Sequence, residues 1–334
     1  MLPNPSTTLT RRVLQRSSVE TGRRAFTLIE LLVVITIIAV LMTMIISVVG
    51  AFLTQAKDAA TKTTLNKIQG LLNSRAQAFD RLIQRNGYLT GSTEYTQQWT
   101  ANVANGDANL QAIIARKLLQ IKYFPQSVAD FKSQEGGLAL TLYPKISNGS
   151  LLTTPESPDY HNAEILYDFL TQENVLGGVP VGSDNFSASE VQDLNSNGFP
   201  EFVDAWGTPI RFYRWPTRLF RPNGTGTAID PANARLLFSS LPVFSGNLVN
   251  DLARDPDDPL QSTTIVDTTM NSSGWFEKNF HTPTTYYVYL IVSAGPDLTF
   301  GMDDPNGNGS LGAVVNQAAL IDDIVYLNIR AGGK

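Results

Sequence analysis

Residues 23–53 read R-R-A-F-T-L-I-E-L-L-V-V-I-T-I-I-A-V-L-M-T-M-I-I-S-V-V-G-A-F-L, and this stretch decides how the rest of the chain is read. Residues 31–53 are 23 consecutive positions with no charge and no proline. At ~1.5 Å rise per residue they make roughly 35 Å of apolar helix, enough to cross a bilayer. A secretory signal peptide has a shorter apolar core of ~7–15 residues and a small-residue cleavage site after it. Here the run is longer, no A-x-A pattern ends it, and the small residue, Ala25, precedes it. Arg23 and Arg24 flank the run on its N-terminal side, which puts that end in the cytoplasm and the body of the chain outside.

Glu30 is the single acid at the start of the run. A carboxylate at membrane depth costs on the order of a few kcal/mol unless it is solvated, neutral or paired. It either lies at headgroup level or meets a positive group when helices pack. A cut after Ala25 would expose an amino terminus on Phe26, one helical turn away. A neighbouring subunit shifted along the axis could then set its terminal ammonium against Glu30.

The pattern A-F-T-L-I-E-L-L-V-V-I behind a basic pair resembles the processing site of type IV pilins and type II secretion pseudopilins. The resemblance implies a prepilin peptidase cutting between Ala25 and Phe26, N-methylation of Phe26, and use of Glu30 in assembly. It implies as partners other pilin or pseudopilin subunits, an inner-membrane assembly platform and membrane lipid. In the family the residue before the cut is usually Gly; here it is Ala25.

The chain has 334 residues, so a 25-residue leader would leave 309. The leader carries five arginines against Glu20, a net +4, and the whole chain −5, so the mature protein would stand near −9. Such a balance argues against nucleic-acid binding through a basic patch. It suits cations. There is no cysteine, although the body faces a compartment where disulfides persist. Many pilins close their C-terminal region with a disulfide; this chain needs another device.

Residues 1–22 are rich in Ser, Thr and Arg and read as a leader outside the fold. The first helix is expected from about residue 27 to 85, stopping at Asn86-Gly87. Leu65, Ile68, Leu72, Phe79, Leu82 and Ile83 form an apolar stripe, while Lys57, Lys62, Lys67, Arg75 and Arg81 mostly take other positions. A second helix is expected over 107–122, capped by Asp107, and a third over 158–173, with Asp159 a candidate cap. Residues 133–157 read as loop. Strands are expected at 210–215 (I-R-F-Y-R-W), 286–293 (Y-Y-V-Y-L-I-V-S) and 324–329 (I-V-Y-L-N-I). Between the first two, residues 216–285 read as loop with a short helix near 230–238. The expected class is α+β: a leader (1–25), a membrane and assembly helix (26–53), and an extracytoplasmic body (54–334) that is helical over 54–173 and richer in strand and loop over 174–334. The resemblance implies a pilin-like lollipop, a long helix packed on a small antiparallel sheet.

Two segments share the pattern D-x-N-x-N-G: Asp193 to Gly198 and Asp304 to Gly309. In a calcium loop of this kind positions 1, 3 and 5 supply oxygens, Gly at 6 permits the turn, and an acid at 12 closes the sphere. The first copy offers Asp193, Asn195, Asn197, Glu201 at position 9 and Asp204 at position 12. Asp, Asn and Gly also dominate plain solvated turns. The second copy has Val315 at position 12 and fails as such a loop, but Asp297, Asp303, Asp322 and Asp323 lie nearby. The stretch V-S-A-G-P-D-L-T-F-G-M-D-D, followed by D-D-I, resembles the C-terminal calcium loop of major pseudopilins. That resemblance implies ligand roles for Asp297, Asp303 or Asp304 or both, and Asp323, around a structural Ca²⁺. F-V-D-A-W-G-T-P resembles the D-x-W-G-x-P start of a strand in pseudopilin bodies, with Trp206 a core anchor rather than a ligand-stacking residue.

His161 and His281 are the only histidines and lack zinc spacing. No G-x-S-x-G elbow is present, and the Gly-rich pieces lack the setting of a phosphate loop. The expectation is therefore a structural subunit, not an enzyme, of a type II secretion pseudopilus or a type IV pilus-like filament. The rival reading is an extracytoplasmic binding or hydrolytic domain that is tethered by a pilin-type leader and does not polymerise. Residues 86–192 resemble nothing identifiable and keep that rival open.

Overall fold

The computed structural model describes residues 26–85, 104, 106–132, 143, 146, 158–171, 176, 183–224, 228–230, 232–233, 248–266, 274–305 and 311–325. Asn86-Gly87, most of 133–157 and 230–238, and residues 326–329 lie outside them.

Helix α1 runs from Leu28 to Ile83 without a break, close to the expected span. The chain divides into two units, Met1–Phe52 and Leu53–Lys334. In the first unit the described large apolar side chains of α1 are exposed, as is Phe26 just before it. In the second unit α1 changes character. Leu65, Ile68, Leu72, Ala76, Phe79 and Ile83 are buried in the main core. Arg75, expected on the polar side, instead turns inward. Its Nε donates to Tyr123 O at 2.9 Å, Nη1 to Phe169 O at 2.7 Å and Nη2 to Tyr143 Oη at 2.5 Å.

Helix α2 spans Ala108–Tyr123, where Asp107 caps it by accepting from the N–H groups of Asn109 and Leu110. Val128–Lys132 forms α3 and Pro158–Thr171 forms α4, which packs on β2 and β3. Those strands belong to two small antiparallel sheets. The first pairs β1 (Val191–Gln192) with β2 (Glu201–Phe202), a hairpin the sequence reading did not anticipate. The second has the order β3-β4-β5, with β3 at Arg211–Tyr213, β4 at Leu290–Ser293 and β5 at Ile324–Val325. Phe212 pairs with Ile291, and Val292 with Val325.

Successive side chains on a strand point to opposite faces, so this sheet feeds two cores. Phe212 and Ile291 enter the main one, while Tyr213, Leu290 and Val292 join a second with Leu219, Phe220 and Leu320. The free edge of β3 is closed by a side chain. Asn162 Oδ1 accepts from Phe212 N at 2.6 Å and Asn162 Nδ2 donates to Phe212 O at 3.0 Å. One amide thus replaces a neighbouring strand at that position.

Two expectations need correction. The strand expected at 286–293 begins only at Leu290, because Tyr286 N donates instead to Leu252 O at 2.9 Å. The stretch 216–285 is not plain loop. It carries α5 (Thr217–Phe220), α6 (Leu248–Leu252) and α7 (Trp275–Asn279), and it buries Asp255, Asp258, Phe276 and His281. The class is α+β, as expected.

Candidate functional site

The N-terminal motif begins with a local closure. Thr27 Oγ1 accepts from Glu30 N at 3.2 Å, and Glu30 Oε2 accepts from Thr27 N and from Thr27 Oγ1, both at 2.9 Å. This is the reciprocal capping box that a Thr-x-x-Glu spacing forms at a helix start. The spacing is legible in the sequence, but headgroup solvation and pairing between subunits are the roles the sequence suggests for Glu30, not a cap. Phe26 is exposed directly before it. Ala25 lies outside the described residues.

The acidic turns divide into separate places. Asp193 to Gly198 links β1 to β2. Asp193 Oδ1 accepts from Asn197 N at 3.0 Å and its Oδ2 from Gly198 N at 2.9 Å. Asn195 Oδ1 accepts from Asn197 N, Asn197 Oδ1 from Phe199 N, and Glu201 Oε1 from Leu194 N. Both asparagine amides donate to Glu164 of α4, at 2.9 and 2.8 Å. Ser196 at φ 58° and Gly198 at φ 89° complete the turn in the left-handed region. The side-chain oxygens of this turn thus accept backbone N–H groups, and each Asp193 oxygen keeps a second lone pair. Asp204 stands in the next turn. Its Oδ1 accepts from the N–H groups of Trp206 and Thr208, its Oδ2 from Ser293 Oγ at 2.7 Å. Burial pushes its carboxyl upward despite these donors. Trp206 is partly buried against the core.

The C-terminal acids differ. Asp323 Oδ2 accepts from Gly301 N at 2.9 Å, while its Oδ1 is buried with no hydrogen-bond partner. Burial, with the fields of Asp322 and Asp297 adding to it, pushes the Asp323 carboxyl up to about 7. Asp322 is raised as well, by burial and then by Asp297. Asp297 Oδ1 accepts from Thr299 N, and Asp303 Oδ1 from Asp304 N. Tyr213 Oη donates to Asp303 O, which ties this turn to β3. An orphaned buried oxygen amid like charges fits a hard cation that would relieve the repulsion. Among the described residues no three acidic or histidine side chains are gathered closely enough to enclose a metal as they stand. Asn306 to Gly309 lie outside the described residues.

A further polar centre escaped the sequence reading altogether. Lys117 of α2 is fully buried beside Asp255, Asp257 and His281. No local spacing announces it, because α2 and residues 255–257 are far apart in the chain.

By length and composition α1 is apolar enough to cross a membrane. No curated protein and no solved structure matches the chain. Residues 21–46 match the family model described as a prokaryotic N-terminal methylation motif, so the chain carries at its N-terminus the processing motif typical of type IV pilin-like proteins.

Proposed function

We propose that the protein is a structural subunit of a type II secretion pseudopilus or a type IV pilus-like filament, and not an enzyme. The observation that carries this is the methylation motif at residues 21–46 set on an exposed apolar helix. The inner membrane stores the subunit, with its N-terminus cytoplasmic and its body outside. Prepilin peptidase cuts between Ala25 and Phe26, and the new amine is methylated. In the filament the Phe26 ammonium of one copy meets Glu30 of the next, which sets the axial stagger. Before assembly the Thr27 capping box keeps the Glu30 carboxylate hydrogen-bonded. Terminal mass spectrometry of the protein from its host tests the processing. A methylated Phe26 terminus is expected; an intact leader would end the proposal. Glu30→Ala is expected to abolish filaments recovered by shearing, with the membrane level of the subunit unchanged.

The same reading places a structural Ca²⁺ among Asp297, Asp303 or Asp304, and Asp323, supported by the unpartnered Asp323 Oδ1. The ion would pin the turn to β5 in a chain that has no cysteine. Melting of the full chain in detergent with millimolar Ca²⁺ against chelator tests it. The midpoint is expected to rise with Ca²⁺ in the wild type and to stay put in Asp323→Asn.

A further inference from the structure

Lys117 has an unusual setting. Its Nζ lies 3.0 Å from Asp255 Oδ1 and 2.9 Å from Asp257 Oδ2, with none of the three side chains more than 2 % exposed. The Tyr287 ring lies 4.3 Å from the amine. Trp215, Phe276 and Tyr287 surround His281, with ring centroids 5.3, 5.4 and 5.3 Å from its own. An amine and a carboxyl are thus held in contact in a dry aromatic box.

The two carboxylates are not equivalent. Asp257 is well satisfied as an anion. Arg116 Nε lies 2.7 Å from its Oδ1 as an ion pair, and its Oδ2 accepts from Gln120 Nε2 at 3.1 Å and from the Tyr287 hydroxyl. The Lys117 and Arg116 cations hold its carboxyl well below the usual range against the cost of burial. Asp255 is arranged differently. Its Oδ1 accepts from the Asp257 backbone N–H at 2.9 Å. Its Oδ2 faces His281 Nε2 at 3.2 Å. His281 Nδ1 lies 2.9 Å from Thr282 O, an acceptor, so Nδ1 carries the ring proton. Burial and the nearby ammonium push this imidazole toward its neutral form, against the pull of Asp255. Two lone pairs then face each other across the Nε2–Oδ2 gap unless a proton sits on Oδ2. Burial opposes the charge, yet the Lys117 ammonium and His281 hold the Asp255 carboxyl below its usual range, so the Oδ2 proton arrives only by transfer from that ammonium.

We propose that Lys117 and Asp255 condense to an intramolecular isopeptide bond, with Asp257 as proton carrier and His281 as a positioning residue. The Lys–NH₃⁺/Asp–COO⁻ pair first becomes Lys–NH₂/Asp–COOH by an internal proton shift, the acid proton on Oδ2 donating to His281 Nε2. The amine, already in contact with the carboxyl, attacks Cγ and forms the C–N bond. Negative charge collects on Oδ1, where the Asp257 N–H stabilises it. The Asp257 carboxylate takes the surplus proton from nitrogen and returns it to Oδ2. The C–Oδ2 bond then breaks and Oδ2 leaves as water. The sum is ammonium plus carboxylate giving amide plus one water, with no oxidant and no outside reagent. The product ties α2 to a segment 138 residues further on, in a chain without cysteine.

The test is the mass of the full-length protein purified from producing cells, with fragmentation of its tryptic digest. The protein is expected to be lighter than its own polypeptide by one water and to yield a branched peptide joining Lys117 to Asp255. Lys117→Arg keeps the charge but cannot condense, and is expected at full mass with a lower melting point. Asp255→Asn is expected to lose ammonia in place of water. Lys117 and Asp255 found only in linear wild-type peptides would overturn the proposal. So would a lost water without the branch, and a branch at Asp257 would overturn the roles assigned. The wild-type digest decides alone, whether or not the variants fold. Filament assembly enters none of them, so the bond stands or falls apart from the proposed function.

Discussion

Arg75 shows how one side chain can close several elements. Its guanidinium reaches the last carbonyl of α2 at Tyr123 and the carbonyl of Phe169 near the end of α4, and lies 5.1 Å from the centroid of the Phe169 ring. Cations are favoured at helix C-termini, where carbonyls lack intrahelical partners. Replacing it by Met removes the donors and leaves buried carbonyls unpaired, at an expected cost of about 2–4 kcal/mol in a denaturant titration. Arg75→Lys is expected to recover only part, since an ammonium cannot reproduce the planar fork. Asp323 sets a second expectation at this scale. Its carboxyl titrates at about 7 in the fold against 3.8 as a free side chain. The folded state therefore binds the proton more tightly, so stability from this group is full at low pH and falls as pH rises through that window. Without Ca²⁺ the protein is expected to lose stability between about pH 4 and 7 from this group, and Asp323→Asn to flatten that slope. The polar-face reading of Arg75 failed because period assigns a side to a residue but does not say what lies on that side. Nothing in the residues near Asp323 reveals that the Gly301 N–H would meet its carboxylate.

Elements were legible where their stabilisation is local. The stripe of α1 from Leu65 to Ile83 repeats at helical spacing; Leu65, Ile68, Leu72, Phe79 and Ile83 are buried as the spacing names them, Leu82 is partly buried, and Ala76 is buried beside them. Leu72→Ala is expected to cost about 2–5 kcal/mol by thermal or chemical unfolding, because Leu72 is fully buried in the main core. The Asp107 cap of α2 is equally local, and Asp107→Ala is expected to cost about 1 kcal/mol. Elements whose boundaries depend on distant partners were read poorly. The aromatic run 286–293 has strand composition throughout, yet Tyr286 bonds to Leu252 and Tyr287 turns its hydroxyl to Asp257, so ladder pairing starts only at β4. The β1–β2 hairpin has two-residue strands, too short to show an alternating pattern.

At the scale of the molecule the two units obey different solvents. Residues 26–53 expose apolar side chains that water would penalise, while the unit from Leu53 to Lys334 buries its own two cores. Removing residues 1–52 is expected to give a protein recovered in aqueous buffer, with an unfolding midpoint in denaturant close to that of the full chain in detergent. An aggregated product would contradict the independence of the larger unit. The sequence by itself determined the apolar helix, its processing motif and the α+β class, because composition and short-range period encode them directly. Tertiary structure alone decided that the Asp193 turn closes on its own backbone, that Asp323 Oδ1 is buried near other acids, and that Lys117 meets Asp255. Each of those depends on which distant groups exclude water from a charge, and burial of that kind has no signature in local order.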